Sequence, residues 1–592
     1  MNKNLRLLID NMKRKKLDLF LVPRTDVYSS EEVPESEERL KFISNFSGSA
    51  GFAIISSNKK MKSAIFSDGR YQLQLKKEVN KDDFDVFNGG LREIVLFLKK
   101  NQKFINKIAI DPWLISKDNF NVLEKITSDT KINFQFIDIN LIDEIWFNKP
   151  PEITNKIFEL KKEIVGETSE SKINRVIEIL KKNNSDFYIL FSPIGLSWLL
   201  NIRVMNLKHT PIFRGFCIIS KSNELFIFSN NVNFYEKYFK KCKINLFDFE
   251  DLLSFLKNHF NKKFLIDTDV LPLKIYDYII KEKLKFKLIT CPVNQFKSIK
   301  NSKELKGFKN AHIRDGLAIL KLLHWIELEQ SSNSLSEISI SKKLLEIRSL
   351  ENTFLCESFE TISAFNQNGA IIHYKVTENS NIKIDTNGLY LIDTGAHYLD
   401  GTTDTTRTIA IGNPNDEMIN DYTLVLKSHI AISTAIFPAT TKGRDLDVIA
   451  RTPLWSCGKD YAHGTGHGVG FCLSVHEGPI SISKISECLI ESGMVISNEP
   501  GYYKKDKYGI RIENLEVVKK HNFKNSDTTF LRFENLTRVP LELSLIDKKM
   551  LNEIEINWIN EYHKKVFLDL SKLIKSNDLE LLKFLKRKTV PI

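Results

Sequence analysis

The chain has 592 residues, 42% hydrophobic and 27% charged, and its 86 Lys and Arg against 74 Asp and Glu give a formal net charge of +12. This is the balance of a folded, water-facing protein too long for one core, and it excludes a disordered or low-complexity chain. The excess lysine is scattered among Asn, Ile and Phe along the whole sequence, whereas a nucleic-acid footprint is a clustered basic face, so no nucleic-acid partner is expected.

At the N-terminus, Asp10 interrupts the apolar stretch of MNKNLRLLIDNMKRKKLDLF, and no h-region or cleavage site follows, which predicts no secretory leader. No run reaches the roughly 18 apolar residues of a membrane helix. The seven cysteines, Cys217, Cys242, Cys291, Cys356, Cys457, Cys472 and Cys488, form no CxxC pair. That pattern predicts free thiols in a reducing cytoplasm rather than a disulfide framework or a cysteine zinc site.

The first half repeats itself. LDLFLVPRTD (17–26) is echoed by SDFYILFSPI (185–194), GFAIIS (51–56) by GFCIIS (215–220), and AIFSDGRYQLQLKK (64–77) by FIFSNNVNFYEKYF (226–239), at offsets between 162 and 168 residues. Helix-like stretches such as NLRLLIDNMKRKK alternate with short β-branched and aromatic runs. Two similar α/β domains in tandem are therefore predicted, over 1–150 and 160–295, with the Pro-Pro of WFNKPPEITNK between them.

A third domain is predicted over 300–525 and a helical tail over 526–592. NSKELKGFKNAHIRDGLAILKLLHWIELEQ predicts a long helix with Ser302 as its N-cap. Short strands with Gly and Asn turns follow, interleaved with helices such as 420–436, ended by Pro438. In the tail, Leu551, Ile554, Trp558, Tyr562 and Val566 recur at helical spacing and predict a helix packed on the third domain.

The candidate chemistry lies in this third region. HGTGHGVG (463–470) sets two imidazoles among four glycines. Glycine lets backbone approach a ligand, and histidine is the commonest metal ligand and acid–base group near neutral pH, although a plain glycine-rich turn accounts for these eight residues equally well. LYLIDTGAHYLDGTTDTTRTIAIG carries Asp393 and Asp404 on two runs joined by a turn. A four-residue turn at His397–Asp400 sets them opposite each other, with Cβ atoms about 5 Å apart. Two bare carboxylates that close repel unless a cation lies between them. VISNEPGYY places Glu499 at a strand end, and in GIRIENLEVV Glu513 shares the face of Arg511. Each acid alone reads as an ordinary turn or surface carboxylate. As a set, four carboxylates and one imidazole balance two divalent ions, and such oxygen-rich ligation suits Mn²⁺, with Co²⁺ or Zn²⁺ less distinctive.

The ordered series Asp393, Asp404, His467, Glu499 and Glu513 resembles the five-ligand dinuclear site of the pita-bread metallopeptidases, which include methionine aminopeptidase, prolidase and aminopeptidase P. LIDTG, TDTTRT, HGTGHGVG, VHEGP, NEPGYY and IRIEN are most similar to the long, three-domain aminopeptidase P branch. So are FSGSAG and DGRY in the first domain, SWLLNIR and HTPIF in the second, and the helical tail, so that the resemblance spans almost the entire chain. It implies an α/β fold of two similar creatinase-N-like domains followed by a pita-bread catalytic domain. It implies that Asp404 and Glu513 bridge the two metals, that His467 and Glu499 complete one and that Asp393 completes the other.

The resemblance further implies that His373, His463 and His476 contact substrate, with Arg70 of DGRY as a peptide contact and Tyr508 and Arg511 supporting the ligands from behind. The implied activity is release of the N-terminal residue from peptides with proline second, a hydroxide bridging the metals being the nucleophile. Glu499 would carry the proton to the leaving nitrogen, and His373 and His476 would donate hydrogen bonds to substrate carbonyls. A homodimer is implied as well. Of the other readings, a dipeptide-only prolidase sits poorly with 592 residues and the tandem repeat. A non-catalytic peptide- or histone-binding module would lack ligands that are all present here. Nucleic-acid binding would rest on net charge alone.

Overall fold

A computed structural model describes residues 2–126, 130–330 and 334–592. The chain divides into two compact units: Met1–Glu159, Glu167–Leu207 and Pro211–Val293 form the first, and Leu160–Gly166, Lys208–Thr210 and Asn294–Ile592 the second.

The first unit holds two six-stranded sheets of one topology. Strands Phe84–Asn88, Ser63–Ser67, Phe52–Ser56, Leu19–Pro23, Lys107–Ile110 and Asn133–Phe136 lie side by side in that order. Asn245–Asp248, Leu225–Ser229, Phe216–Ser220, Phe187–Leu190, Lys263–Ile266 and Lys285–Leu288 do the same in the other sheet. In each, the central strand pairs antiparallel with one neighbour and parallel with the other. Both central strands are buried along their whole length, which is why they read as continuous apolar runs without alternation. The repeated words of the sequence are thus the repeated strands of two like α/β halves.

The second unit mixes helices with sheets. Its long helix, Ser302–Glu329, is capped by Asn301 rather than by Ser302: the Asn301 side chain accepts from the Lys303 and Glu304 N–H groups, and Glu304 reaches back to the Asn301 N–H. The reciprocal pair requires Glu at the third helical position, and counting back from Glu304 selects residue 301. The helix expected over 420–436 runs Asp416–Ser433, because Asn415 caps it one turn earlier and Ile436–Pro438 leaves to pair with Phe530–Asn535. Tail helix Glu553–Leu570 buries Ile559, Tyr562, His563, Val566 and Leu570. Ile554, expected on that face, is 68% exposed, because each four-residue step drifts about 40° round the helix and Ile554 thus stands about 120° from Val566.

Two sheets carry the interior of this unit. One has the order Ile362–Phe365, Gly388–Thr394, Thr405–Ile411. The other runs Ile436–Pro438, Phe530–Asn535, Asn514–His521, Val495–Asn498, Gly466–Gly468, Glu477–Ile482. Hairpin Gly501–Lys504 with Tyr508–Arg511 lies alongside. Between the strands and the tail sits Arg407, wholly buried, whose donors go to Thr406 O, Glu513 O, Val539 O, Pro540 O, Asn514 Oδ1 and the Tyr562 hydroxyl at 2.7–3.1 Å. None of the described helices is long and apolar enough to cross a membrane.

Candidate metal centre

Asp393 is the penultimate residue of Gly388–Thr394, and its cross-strand partner is Thr406, not Asp404. The turn between Tyr398 and Gly401 has two residues rather than the four expected, so the register is displaced by two. Because side chains alternate with period two, that displacement leaves Asp404 on the face of Asp393, diagonally across the hairpin. His467 lies in the middle of Gly466–Gly468, squeezed between Glu477–Ile482 and Val495–Asn498. A Cβ on Gly466 would sit 1.8 Å from Ser497 O and one on Gly468 2.3 Å from Glu477 O. The glycines therefore serve close strand packing around a histidine rather than a loose loop. Glu499 follows Val495–Asn498, its N–H donating to Thr465 O at 2.8 Å. Glu513 joins Tyr508–Arg511 to Asn514–His521 and donates its N–H to Thr406 O at 3.1 Å.

These elements bring ligand atoms of Asp404, His467 and Glu513 within 4.8 Å of one another. His467 Nε2 lies 3.4 Å from both Asp404 Oδ2 and Glu499 Oε1. The other ring nitrogen, Nδ1, is 2.9 Å from Gly468 O. A carbonyl only accepts, so Nδ1 carries the hydrogen and the Nε2 lone pair of the neutral ring faces two carboxylates. Three acceptors converging on one point call for a cation, a proton on Nε2 when no metal is bound. Asp393 says the same: Oδ2 accepts from Arg511 Nη2 at 2.6 Å, while Oδ1 is buried without a partner.

The electrostatics follow. Burial, then the neighbouring charges of Asp404 and Glu499, push Asp393 up to about 6 despite the pull of Arg511. Burial raises Glu499 as well, and burial with the charges of Asp404, Glu499 and Asp393 holds Glu513 well above the carboxylate range. Burial opposes charge on His467, yet its hydrogen bond to Asp404 and the charges of Glu499 and Asp404 carry it up to about 9. The site gathers protons to relieve its own repulsion. Two divalent cations would do so better, and four carboxylates with one imidazole fit hard, oxygen-preferring ions.

Around the ligands, Thr406 donates to Glu513 Oε2 at 2.7 Å, and Ser497 donates to Glu499 Oε1 at 3.2 Å while accepting the His467 N–H at 2.9 Å. Arg511 Nη1 donates to the Tyr503 hydroxyl at 2.6 Å, and that hydroxyl lies 2.8 Å from His463 Nε2. His463 Nδ1 faces Gly464 O at 2.7 Å, so Nε2 accepts from Tyr503. A relay thus joins His463, Tyr503, Arg511 and Asp393. The His476 ring meets that of His467 edge to face, centroids 4.3 Å apart. The next residue, Glu477, is buried between Lys297 and Lys300. His373 is half-buried on the turn after Asn366–Ala370, beside Ile372, whose carbonyl accepts from Arg511 at 3.4 Å.

Two of the expected residues have their described partners elsewhere. The Tyr508 hydroxyl donates to Asp421 at 3.0 Å, and Arg70, in the first unit, pairs with Asp68 at 2.8 Å. Tyr503, Thr406 and Ser497 were not singled out from the sequence. Each lies within four residues of a ligand, but only the cross-strand pairing of Tyr503 with Gly509 tells that its hydroxyl turns toward Arg511.

Residues 306–520 match Metallopeptidase family M24, 5–144 and 148–304 each match the Creatinase/Prolidase N-terminal domain, and 529–592 match the C-terminal region of peptidase M24. Among curated proteins, the chain is similar to Xaa-Pro aminopeptidase 1 of Dictyostelium discoideum, 36% identical over 98% of this chain and 95% of that one. It is similar to aminopeptidase P2 of Arabidopsis thaliana, 34% identical over 95% of this chain and 84% of that one. Among solved structures, it is similar to X-prolyl aminopeptidase of Caenorhabditis elegans, described as a cytosolic enzyme with a di-nuclear active site, with TM-score 0.93, 31% identity, and 100% and 99% of the two chains covered. Xaa-Pro dipeptidase of Bacillus anthracis shares the fold over 64% of this chain and 99% of its own, with TM-score 0.50 and 24% identity.

Proposed function

Because this chain belongs to Metallopeptidase family M24, we propose that it is a dinuclear metal-dependent aminopeptidase that releases the N-terminal residue from peptides with proline second. The observation that carries the reading is the convergence of Asp404, His467 and Glu513, supported by His467 Nε2 facing Asp404 and Glu499 and by Asp393 Oδ1, buried without a partner. Asp393, Asp404, His467, Glu499 and Glu513 would hold the two ions, with Asp404 and Glu513 shared between them. Bound there, two divalent cations supply Lewis acidity and an acidified water as the nucleophile.

The chain's own groups do the rest. Glu499, raised in proton affinity by burial, takes the proton of the attacking water and passes it to the leaving nitrogen. His373 and His476 donate to substrate carbonyls, each such donor contributing about 3 kcal/mol to lowering the barrier. His463, held by Tyr503, meets the substrate as well. Arg70 is a further peptide contact. Mn²⁺ is the resident metal by the hardness of the donor set. The enzyme works as a homodimer in the cytoplasm. Alignment of the full chain with three-domain relatives, against 64% with the dipeptidase, favours longer peptides over dipeptides alone.

Proline's nitrogen carries no hydrogen and its ring fixes φ near −65°, so an enzyme needing an N–H donor at that position fails on it. The test is hydrolysis of Arg-Pro-Pro, Arg-Ala-Pro and N-acetyl-Arg-Pro-Pro, with Mn²⁺ and after its removal. Cleavage is expected only for the first peptide and only with metal. Comparable rates on the alanine or acetylated peptide would replace this reading with a general aminopeptidase or an endopeptidase.

A further inference from the structure

One buried ion pair outside the ligand set touches both limbs of the metal-binding hairpin. Asp315, on helix Ser302–Glu329, is 2% exposed, and Arg348, near the end of helix Glu337–Ser349, is 0% exposed. They form a fork, Arg348 Nε to Asp315 Oδ1 at 2.8 Å and Nη2 to Oδ2 at 3.0 Å. From the arginine, Nη1 donates to Thr394 Oγ1 at 2.6 Å and Gly395 O at 3.1 Å, the two residues after Asp393. On the aspartate, Oδ1 accepts from the Tyr398 hydroxyl at 2.9 Å, and Oδ2 accepts from the Thr403 hydroxyl at 2.7 Å. Thr403 immediately precedes Asp404.

The backbone explains why side chains are needed at this point. Pairing between the limbs runs regularly to Thr394 opposite Thr405 and resumes at His397 opposite Thr402 in a different sheet. Between these the hairpin passes from one sheet to the other. There the Ala396 N–H goes to Thr403 Oγ1 at 2.9 Å, and Gly395 is obligatory because a Cβ would lie 2.1 Å from Thr403 O. Asp393 and Asp404 flank this crossing, where the register carries through on the Thr403 N–H to Ala396 O bond at 2.8 Å and side chains supply the further links between the limbs. A buried ion pair is not in itself a gain in stability, since desolvation offsets its attraction. What this one adds is a rigid link from two helices to the residue after one ligand and the residue before the other.

We infer that Asp315 and Arg348 are positioning residues for the metal centre: through Thr394, Gly395 and Thr403 they set the separation of Asp393 and Asp404 before any cation arrives. The inference rests on the metallopeptidase reading above. Outer partners of this kind typically change metal affinity 10–100-fold.

The experiment titrates metal-free protein with Mn²⁺ and melts the metal-free protein, for wild type, Asp315→Asn, Arg348→Met, Thr394→Val and Thr403→Val. The threonine variants keep the ion pair and remove the hydroxyls that join it to the hairpin, Thr394→Val also losing the bond to Thr361 and Thr403→Val the acceptor of the Ala396 N–H, so they remain informative where a charge variant fails to fold. The expected result is about tenfold weaker Mn²⁺ binding in each folded threonine variant and a larger loss in the folded charge variants, with a lower melting temperature in Thr403→Val because the buried Ala396 N–H loses its acceptor. A merely structural role would lower melting temperature and leave Mn²⁺ affinity untouched. That pattern, or wild-type affinity in both threonine variants, overturns the inference alone. A wild-type chain that binds no Mn²⁺ overturns the metal reading and the inference together.

Discussion

His463 and His467 stand four residues apart in one word of the sequence, yet the backbone treats them differently. Gly468 O fixes the tautomer of His467 so that its lone pair faces acids, whereas Nε2 of His463 is taken up by Tyr503. His467→Ala is therefore expected to lose bound metal along with activity. His463→Ala should retain metal and lose turnover, and metal analysis of both purified variants separates the two roles; equal metal loss would show that the assignment is mistaken. Tyr503→Phe removes the hydroxyl between Arg511 and His463 and should lower kcat about 10–100-fold with metal retained. The acids and histidines could be picked out as an ordered set of short words that resembles a family's, since each alone reads as an ordinary turn or surface group. Tyr503 could not, because its role depends on the hairpin that folds it over Arg511.

Strands and caps set the spacing on which those residues depend. Gly466→Ala places a methyl 1.8 Å from Ser497 O, and the strand carrying His467 must move away from the strand that leads to Glu499. Activity is expected to vanish, with metal content falling in step, and a fully metallated Gly466→Ala would show that the strand can give. Asn301→Ala removes the cap of the long helix and should cost about 1 kcal/mol, read as a lower urea midpoint with catalysis of the folded enzyme unchanged. The tandem sheets were legible because a central strand buried on both faces leaves an apolar run that a second copy repeats. Cap and register were each misread by one or two residues for a common reason. Neighbouring positions offered similar chemistry, Ser302 beside Asn301 and a longer turn beside a shorter one; Glu304, three residues on, decides the cap by reaching back to the Asn301 N–H, and the strand pairing of Asp393 with Thr406 decides the register.

At the scale of the molecule, three histidines of the second unit are buried in their neutral form. Burial holds His312 down to about 4, His429 down to about 3 and His563 down to about 4, with Arg407 adding to the effect on His429 and His563. Each folded value lies below the unfolded one, so the unfolded chain binds more protons, and stability present above about pH 6.5 is lost as pH falls toward 4. His563→Gln keeps an acceptor for the Leu541 N–H and should flatten the dependence of stability on pH by about 1.4 kcal/mol per unit in that window. Urea unfolding of metal-free wild type and variant at pH 7, 6 and 5 measures the difference, and parallel slopes would remove His563 from the account.

Arg407 spans a long stretch of the chain: it is held by Glu513 and Asn514 on one side and by Val539, Pro540 and Tyr562 on the other. A guanidinium in that place without its partners is a buried, unpaired charge. A ribosome delivers these partners last. All five proposed ligands precede residue 514, but the pocket for Arg407 is completed by Tyr562. Competence to hydrolyse peptides is therefore expected only once the tail has been made. A chain ended at Leu551 keeps every ligand and is expected to show no hydrolysis of Arg-Pro-Pro, while Tyr562→Phe, which removes one hydroxyl from the same pocket, should cost about 1.5–3 kcal/mol and leave the finished enzyme active.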